Sequence, residues 1–91
     1  MELGMIGLGK MGANMAERLV RGGHRVVGFD LSPESVASLV ERGAQGAASL
    51  EELVEMLPTP RVIWIMVPSG RPVDATLEAL TPLLDDGDIV I

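Results

Sequence analysis

The tightest constraint on this chain lies between residues 3 and 30. A short apolar run, Leu3-Gly4-Met5-Ile6, leads straight into Gly7-Leu8-Gly9-Lys10-Met11-Gly12, and Asp30 follows eighteen residues after the last of these glycines. Glycines spaced G-x-G-x-x-G directly after a strand and directly before a helix form the dinucleotide-binding fingerprint. Gly7 would turn the chain sharply off the strand, and Gly9, lacking a Cβ, would let backbone approach a pyrophosphate. Gly12 would let the helix pack closely on the strand. The unpaired N–H groups and positive dipole end of that helix would then face the phosphates.

The flanks fit the motif. From Lys10 to Arg21, Met11, Met15, Leu19 and Val20 recur at helical spacing, with Ala13 and Ala16 as small helix formers, and Gly22-Gly23 provides a stop. Arg25-Val26-Val27-Gly28-Phe29 reads as a second strand with Asp30 at its tip. An acid there accepts hydrogen bonds from the adenosine ribose hydroxyls. The competing reading makes Asp30 a cap or turn residue ahead of Ser32-Pro33. Asp30 also bears on cofactor choice. A 2′-phosphate beside this carboxylate would meet a repulsion of roughly 4 kcal/mol per unit charge pair at an intermediate dielectric. Leu31-Ser32-Pro33-Glu34-Ser35 contains no Arg or Lys to offset it, and Glu34 adds negative charge. The expected cofactor is therefore NAD in preference to NADP.

At 91 residues the chain has room for one domain. A net charge of −6 argues against nucleic acid and anionic membrane as partners, so phosphate recognition must come from backbone N–H groups and helix ends. With no cysteine and one histidine, thiol catalysis and Cys- or His-based metal sites are not expected. No signal-peptide pattern opens the chain and no apolar run reaches bilayer-spanning length, so the expected location is the cytoplasm.

The remaining residues continue the alternation of strand and helix. Ser32-Pro33-Glu34 starts a helix with an apolar stripe of Val36, Leu39 and Val40, ended by Gly43. Ala44 to Ala47 predicts a short strand near an edge. Ser49 caps a helix bearing Leu50, Leu53, Val54 and Leu57, broken by Pro58 and Pro60. Arg61 to Val67 predicts a central strand buried on both faces, with Trp64 in the core. Pro72 to Leu84 reads as helical, and Asp88 to Ile91 as a final strand. The resulting β-α-β-α-β-α-β-α-β order, with right-handed crossovers, predicts an α/β fold: a Rossmann-type doubly wound parallel sheet in the order 3-2-1-4-5. Ile89-Val90-Ile91 is an apolar strand with no successor. It predicts that residues 1–91 are the N-terminal dinucleotide-binding segment of a larger enzyme, able to form a homodimer through its truncated sheet edge.

Met1 to Met15, then Gly22-Gly23-His24, then Val62-Ile63-Trp64-Ile65-Met66-Val67-Pro68-Ser69-Gly70, resembles the N-terminal region of decarboxylating 6-phosphogluconate dehydrogenases, especially the short bacterial form that prefers NAD. The wider β-hydroxyacid dehydrogenases, including 3-hydroxyisobutyrate dehydrogenase, share the G-L-G-x-M-G-x-x-M pattern. The I-W-I-M-V-P-S-G stretch favours the sugar-phosphate enzyme. The resemblance implies that Gly7, Leu8, Gly9, Lys10, Met11 and Gly12 lie against the pyrophosphate. It places Asp30, Leu31 and Ser32 around the adenosine ribose, and Val67, Pro68 and Ser69 along the cofactor at the carboxyl end of the fourth strand. NADP-linked members carry Asn-Arg-Thr where this chain has Asp30-Leu31-Ser32. Within the loop, Lys10 reads as a solvated first-turn residue and Met11 as a packing residue beneath the loop. His24 reads as structural.

No catalytic residue is expected in residues 1–91, because the resembled family keeps its substrate-binding segment, general base, acid and helical substrate domain beyond them. The complete relative would oxidise 6-phosphogluconate at C3 and decarboxylate it to ribulose 5-phosphate, a pentose phosphate pathway step. Two alternatives stay open: another β-hydroxyacid dehydrogenase acting on a smaller 3-hydroxy acid, and a non-catalytic nucleotide-binding or self-associating module.

Overall fold

The computed structural model describes residues 2–67, 71–85 and 87–91, without the side chains of Lys10 and Arg71. The elements run β1 (Glu2–Ile6), α1 (Lys10–Arg21), β2 (Arg25–Phe29), α2 (Pro33–Glu41), β3 (Gln45–Gly46), α3 (Leu50–Met56), β4 (Val62–Ile65), α4 (Arg71–Leu80), a 3-10 turn (Thr81–Leu83) and β5 (Ile89–Val90). All strand pairs are parallel and the sheet order is β3-β2-β1-β4-β5, as the alternation predicted.

Side chains alternate between two apolar layers, as the period of a strand requires. On one face Leu3, Met5 and Val26 pack with Ala16 of α1 and Leu39 of α2. On the other, Ile6, Val27 and Ile63 pack with Leu53 and Val54 of α3 and Leu80 of α4. Burying both faces of β1 and β2 explains why their sequences are continuously apolar rather than alternating.

Three expectations need correction. β4 is not buried on both faces: Ile63 is, but Val62 and Trp64 are only half-buried, so Trp64 is a margin residue rather than a core one. They lie on the face covered by α1 and α2, which sit over β1 and β2, and they reach only the border of that layer. The third strand has two residues rather than four, at the sheet edge. The α-helix expected to Leu84 ends at Leu80 and tightens into the 3-10 turn, because Pro82 has no N–H to continue the ladder.

The amino end of the sheet is fastened by two arginines. Arg25 Nη1 donates to the Met56 carbonyl (2.9 Å) and to Glu2 (3.1 Å), and its Nη2 donates to Gln45 (2.6 Å). Arg61 Nε donates to the Val54 carbonyl (2.9 Å), and its Nη1 to Asp88 (3.0 Å). Both guanidinium groups thus bond to carbonyls of the last turn of α3, where helix geometry leaves acceptors open, and the Val54 carbonyl also accepts the Leu57 N–H (3.2 Å). The Asp88 side chain is 1% exposed and also accepts the N–H groups of Arg61 (2.6 Å) and Asp85 (2.9 Å). The Arg61 amide, then the Asp85 amide and the Arg61 guanidinium, hold its carboxyl below the usual carboxylate range against the opposing effect of desolvation.

Candidate functional site

At the carboxyl end of the sheet the chain opens instead of closing. Gly7 has φ +95°, and a Cβ there would stand 2.7 Å from the Met66 carbonyl carbon, so both the turn and the crossing over the neighbouring strand require glycine. A Cβ on Gly12 would collide with the carbonyl oxygen of Gly7. The third glycine therefore seats α1 against the loop itself, with Met66 beyond, rather than directly against a strand. Gly9 differs from both. Its φ is −65°, and a Cβ would meet nothing within 4 Å. The structure does not need glycine at that position, but a ligand lying close to the backbone does.

Helix starts distinguish this region further. α2 begins at Ser32, whose Oγ accepts the Ser35 N–H (3.4 Å), and carries Glu34 in its first turn. α3 begins with a reciprocal box: Glu52 N–H donates to Ser49 Oγ (3.1 Å), while Ala48 N–H donates to Glu52 Oε1 (3.0 Å). α1 begins at Gly9 with no side-chain cap and no acid in its first turn. Its leading N–H groups and dipole are left for an anion from outside.

Asp30 stands at the tip of β2 and faces the loop. Leu8 N–H donates to its Oδ2 (2.6 Å) and Ser32 N–H to its Oδ1 (2.8 Å). The turn role held against the ribose role is therefore real, and it does not consume the group. A carboxylate has about four lone-pair positions, and these amides use two.

Between the loop, β4 and α4 lies a groove of about 990 Å³. Of the predicted residues Gly7, Gly9, Met11, Gly12, Asp30, Leu31 and Val67 line it together, as the strand order dictates by placing β1 between β2 and β4. Leu8 and Ser32 do not line it: Leu8 is buried in the α1/α2 layer, and the Ser32 hydroxyl caps α2. Pro68 and Ser69 fall outside the described residues, as does the Lys10 side chain. Met11 is a correction. It is 74% exposed on the groove rather than packed beneath the loop, because the second residue of α1 turns away from the sheet. Leu31, 91% exposed, forms the opposite rim.

Sequence reasoning missed the far wall, formed by Leu50 and by Pro72, Ala75, Thr76 and Ala79 of α4. The spacing of Pro72, Ala75, Thr76 and Ala79 marks one helix face of small side chains, the available signal. Among the described lining residues Asp30 is the only charged one. The donor set fits a dinucleotide: backbone N–H groups for the pyrophosphate, a carboxylate for ribose hydroxyls, and apolar walls for the rings.

A parallel sheet in this order, a glycine turn onto an uncapped helix and an acid at the tip of β2 together define a dinucleotide-binding domain of the dehydrogenase type. Residues 2–91 match the family model described as the NAD binding domain of 6-phosphogluconate dehydrogenase. The chain belongs to that family. It is 50% identical over 91 residues to the NAD(+)-dependent, decarboxylating 6-phosphogluconate dehydrogenase of Haloferax volcanii, covering 100% of this chain and 30% of that protein. The chain thus spans about a third of that relative's length. Among solved structures, 3-hydroxyisobutyrate dehydrogenase of Mycobacterium tuberculosis superposes with a TM-score of 0.88 at 28% identity, over 98% of this chain and 30% of that one. The 6-phosphogluconate dehydrogenase of Plasmodium falciparum superposes with a TM-score of 0.90 over 99% of this chain and 21% of that one; at 24% identity it shows the shared fold alone. Among the described residues no helix is long and apolar enough to cross a membrane.

Proposed function

We propose that the chain binds NAD across the carboxyl ends of β2, β1 and β4, as the cofactor-binding part of a decarboxylating 6-phosphogluconate dehydrogenase. The observation that carries this reading is the Asp30 carboxylate on a groove with no other described charge, beside a helix start left uncapped. The adenosine ribose lies at Asp30 with Leu31 and Ser32 around it, and the pyrophosphate lies along Gly7 to Gly12. Val67, Pro68 and Ser69 follow the cofactor toward its nicotinamide end. NAD is preferred because a 2′-phosphate would meet the Asp30 carboxylate. When bound, the nicotinamide supplies the hydride acceptor for oxidation of a hydroxyl-bearing carbon. Residues 1–91 bind and orient it; the one ionisable side chain among the described groove residues, Asp30, is committed to the ribose and to the Leu8 and Ser32 amides, so the chain alone does not turn over. The whole protein would oxidise 6-phosphogluconate at C3 and release carbon dioxide to give ribulose 5-phosphate in the cytoplasm.

Calorimetric titration tests the cofactor reading. NAD should bind more tightly than NADP, and the triple change Asp30→Asn, Leu31→Arg, Ser32→Thr should reverse the order. Equal affinities in the parent chain would refute the role of Asp30.

The second reading, a β-hydroxyacid dehydrogenase acting on a smaller acid, is favoured only by the superposition on 3-hydroxyisobutyrate dehydrogenase. Assaying the whole protein with both substrates separates the two.

Homodimerisation through the β5 edge is also proposed. Ile89 and Ile91 N–H groups donate to the Arg61 and Ile63 carbonyls, which turns the polar backbone of Val90 outward, and Ile89 and Ile91 are 54% and 58% exposed. Val90→Pro removes the outward donor and should lower association in sedimentation runs across a concentration series. A parent chain that stays monomeric at high concentration would refute this proposal.

A further inference from the structure

We infer that Asp30 is a positioning residue for the phosphate-binding loop as well as a partner of the ribose: its carboxylate holds the loop in its cofactor-ready shape before any ligand arrives. The inference rests on the dinucleotide reading of the groove and adds a coupling between its two ends.

Two consecutive loop residues are tied to the tip of β2. Gly7 N–H donates to the Phe29 carbonyl (2.9 Å) and Leu8 N–H to Asp30 Oδ2 (2.6 Å). Leu8 is 4% exposed and packs within the α1/α2 layer, so this residue is held at both its amide and its side chain. Asp30 is in turn held by the Ser32 N–H on Oδ1 (2.8 Å), at the N-cap of α2. The carboxylate therefore links the start of α2 to the turn before α1. Gly9, the next residue, opens over the groove.

Three consequences follow from this linkage. The Leu8 amide is already engaged, so the anion cradle falls on the first turn of α1, at the amides of Met11 and Gly12. Ribose hydroxyls add to the unused lone pairs of the carboxylate instead of displacing the amides. Removing the carboxylate leaves the part-buried Leu8 N–H without its acceptor, which releases the loop and weakens a phosphate ligand that never touches residue 30. Asparagine would keep a carbonyl oxygen for Leu8 but turn an NH2 group toward the Ser32 N–H.

The test uses the isotope-labelled 91-residue chain with Asp30→Ala and Asp30→Asn. Amide exchange at Leu8 is measured without ligand, followed by titration with inorganic pyrophosphate read at the Met11 and Gly12 amides. Leu8 exchange should accelerate by about tenfold or more in Asp30→Ala, the loss expected for one hydrogen bond to a charged acceptor, and stay near the parental rate in Asp30→Asn. Pyrophosphate affinity should fall in Asp30→Ala and recover in Asp30→Asn, while NAD affinity falls in both. Equal Leu8 exchange in all three chains, or pyrophosphate binding indifferent to Asp30→Ala, overturns the inference. Should Asp30→Ala fail to fold, Asp30→Asn decides alone: it must leave Leu8 protected and free the Ser32 amide, and any other pattern refutes the linkage. Failure of the parent chain to bind NAD would refute the dinucleotide reading with the Leu8 result intact, so the two failures are distinguishable.

Discussion

At the carboxyl end of the sheet the first turn of α1 has neither a side-chain cap nor an acid, and the groove beside it offers one described charge, Asp30. At the amino end Arg25 and Arg61 bond to carbonyls of the last turn of α3, and Asp88 takes two amides and a guanidinium. The same kinds of group, helix termini and charged side chains, are used in opposite ways. One end satisfies its polar atoms internally and gains stability. The other leaves some unsatisfied and so retains free energy for a ligand, which is where ligands bind in open α/β sheets. The division predicts that substitutions at the two ends separate stability from affinity.

The largest effect should come where the two properties cannot be separated. Gly7→Ala forces a left-handed backbone conformation that costs about 1–3 kcal/mol and drives a Cβ into the Met66 backbone. Thermal unfolding should shift down by roughly 4–8 °C per kcal/mol, and NAD binding should vanish with it. A variant that still binds NAD would show that the turn at Gly7 does not shape the binding site.

Gly9→Ala sharpens the comparison from the ligand side. Its backbone angle suits alanine and the added methyl meets no protein atom, so the melting temperature should hold. NAD affinity should fall by about tenfold or more, equivalent to about 1.4 kcal/mol. Unchanged affinity would mean the pyrophosphate does not pass over Gly9.

Arg61→Ala tests the other end. It removes the partner of a carboxylate whose side chain is 1% exposed, and the melting temperature should fall by several degrees with NAD affinity unchanged within about twofold. Acid unfolding adds a signature. The folded-state pKa of Asp88 lies below its ordinary value of 3.8, so its contribution is fully present above that value and is lost as pH falls through the lowered one. Asp88→Asn should therefore lower stability at neutral pH and flatten the acid limb of the stability curve. An acid limb as steep as the parent's would assign the pH dependence to other carboxylates.

The smallest effect belongs to Ser49→Ala, which removes half of the box at the start of α3 and should cost about 1 kcal/mol with no change in NAD affinity. A loss of affinity here would show that the start of α3, through Leu50 on the groove wall, is coupled to the ligand.

Local chemistry determined much of this protein from its sequence. The glycine spacing, the caps at Ser32 and Ser49, the stop at Gly22-Gly23 and the apolar runs each act over a few residues, so they announce β1, α1, β2, α2 and α3 and, through the crossover rule, the sheet order. The loop and Asp30, the proposed cofactor contacts, were legible for the same reason, since a tight glycine turn and an acid at a strand tip are unusual residues in a short stretch. What the tertiary structure alone decided depends on distances between segments far apart in the chain. Whether Trp64 is covered depends on how far α1 extends across the sheet. The direction taken by Met11 depends on where α1 begins to turn against β1, and the far wall of the groove depends on which face of α4 meets β4. The bond from Leu8 to Asp30 spans 22 residues, that from Arg25 to the Met56 carbonyl spans 31 and that from Arg61 to Asp88 spans 27, and each joins segments that share no local pattern. Hydrogen bonds of this kind carry no periodic signature because their geometry exists only once the layers have packed.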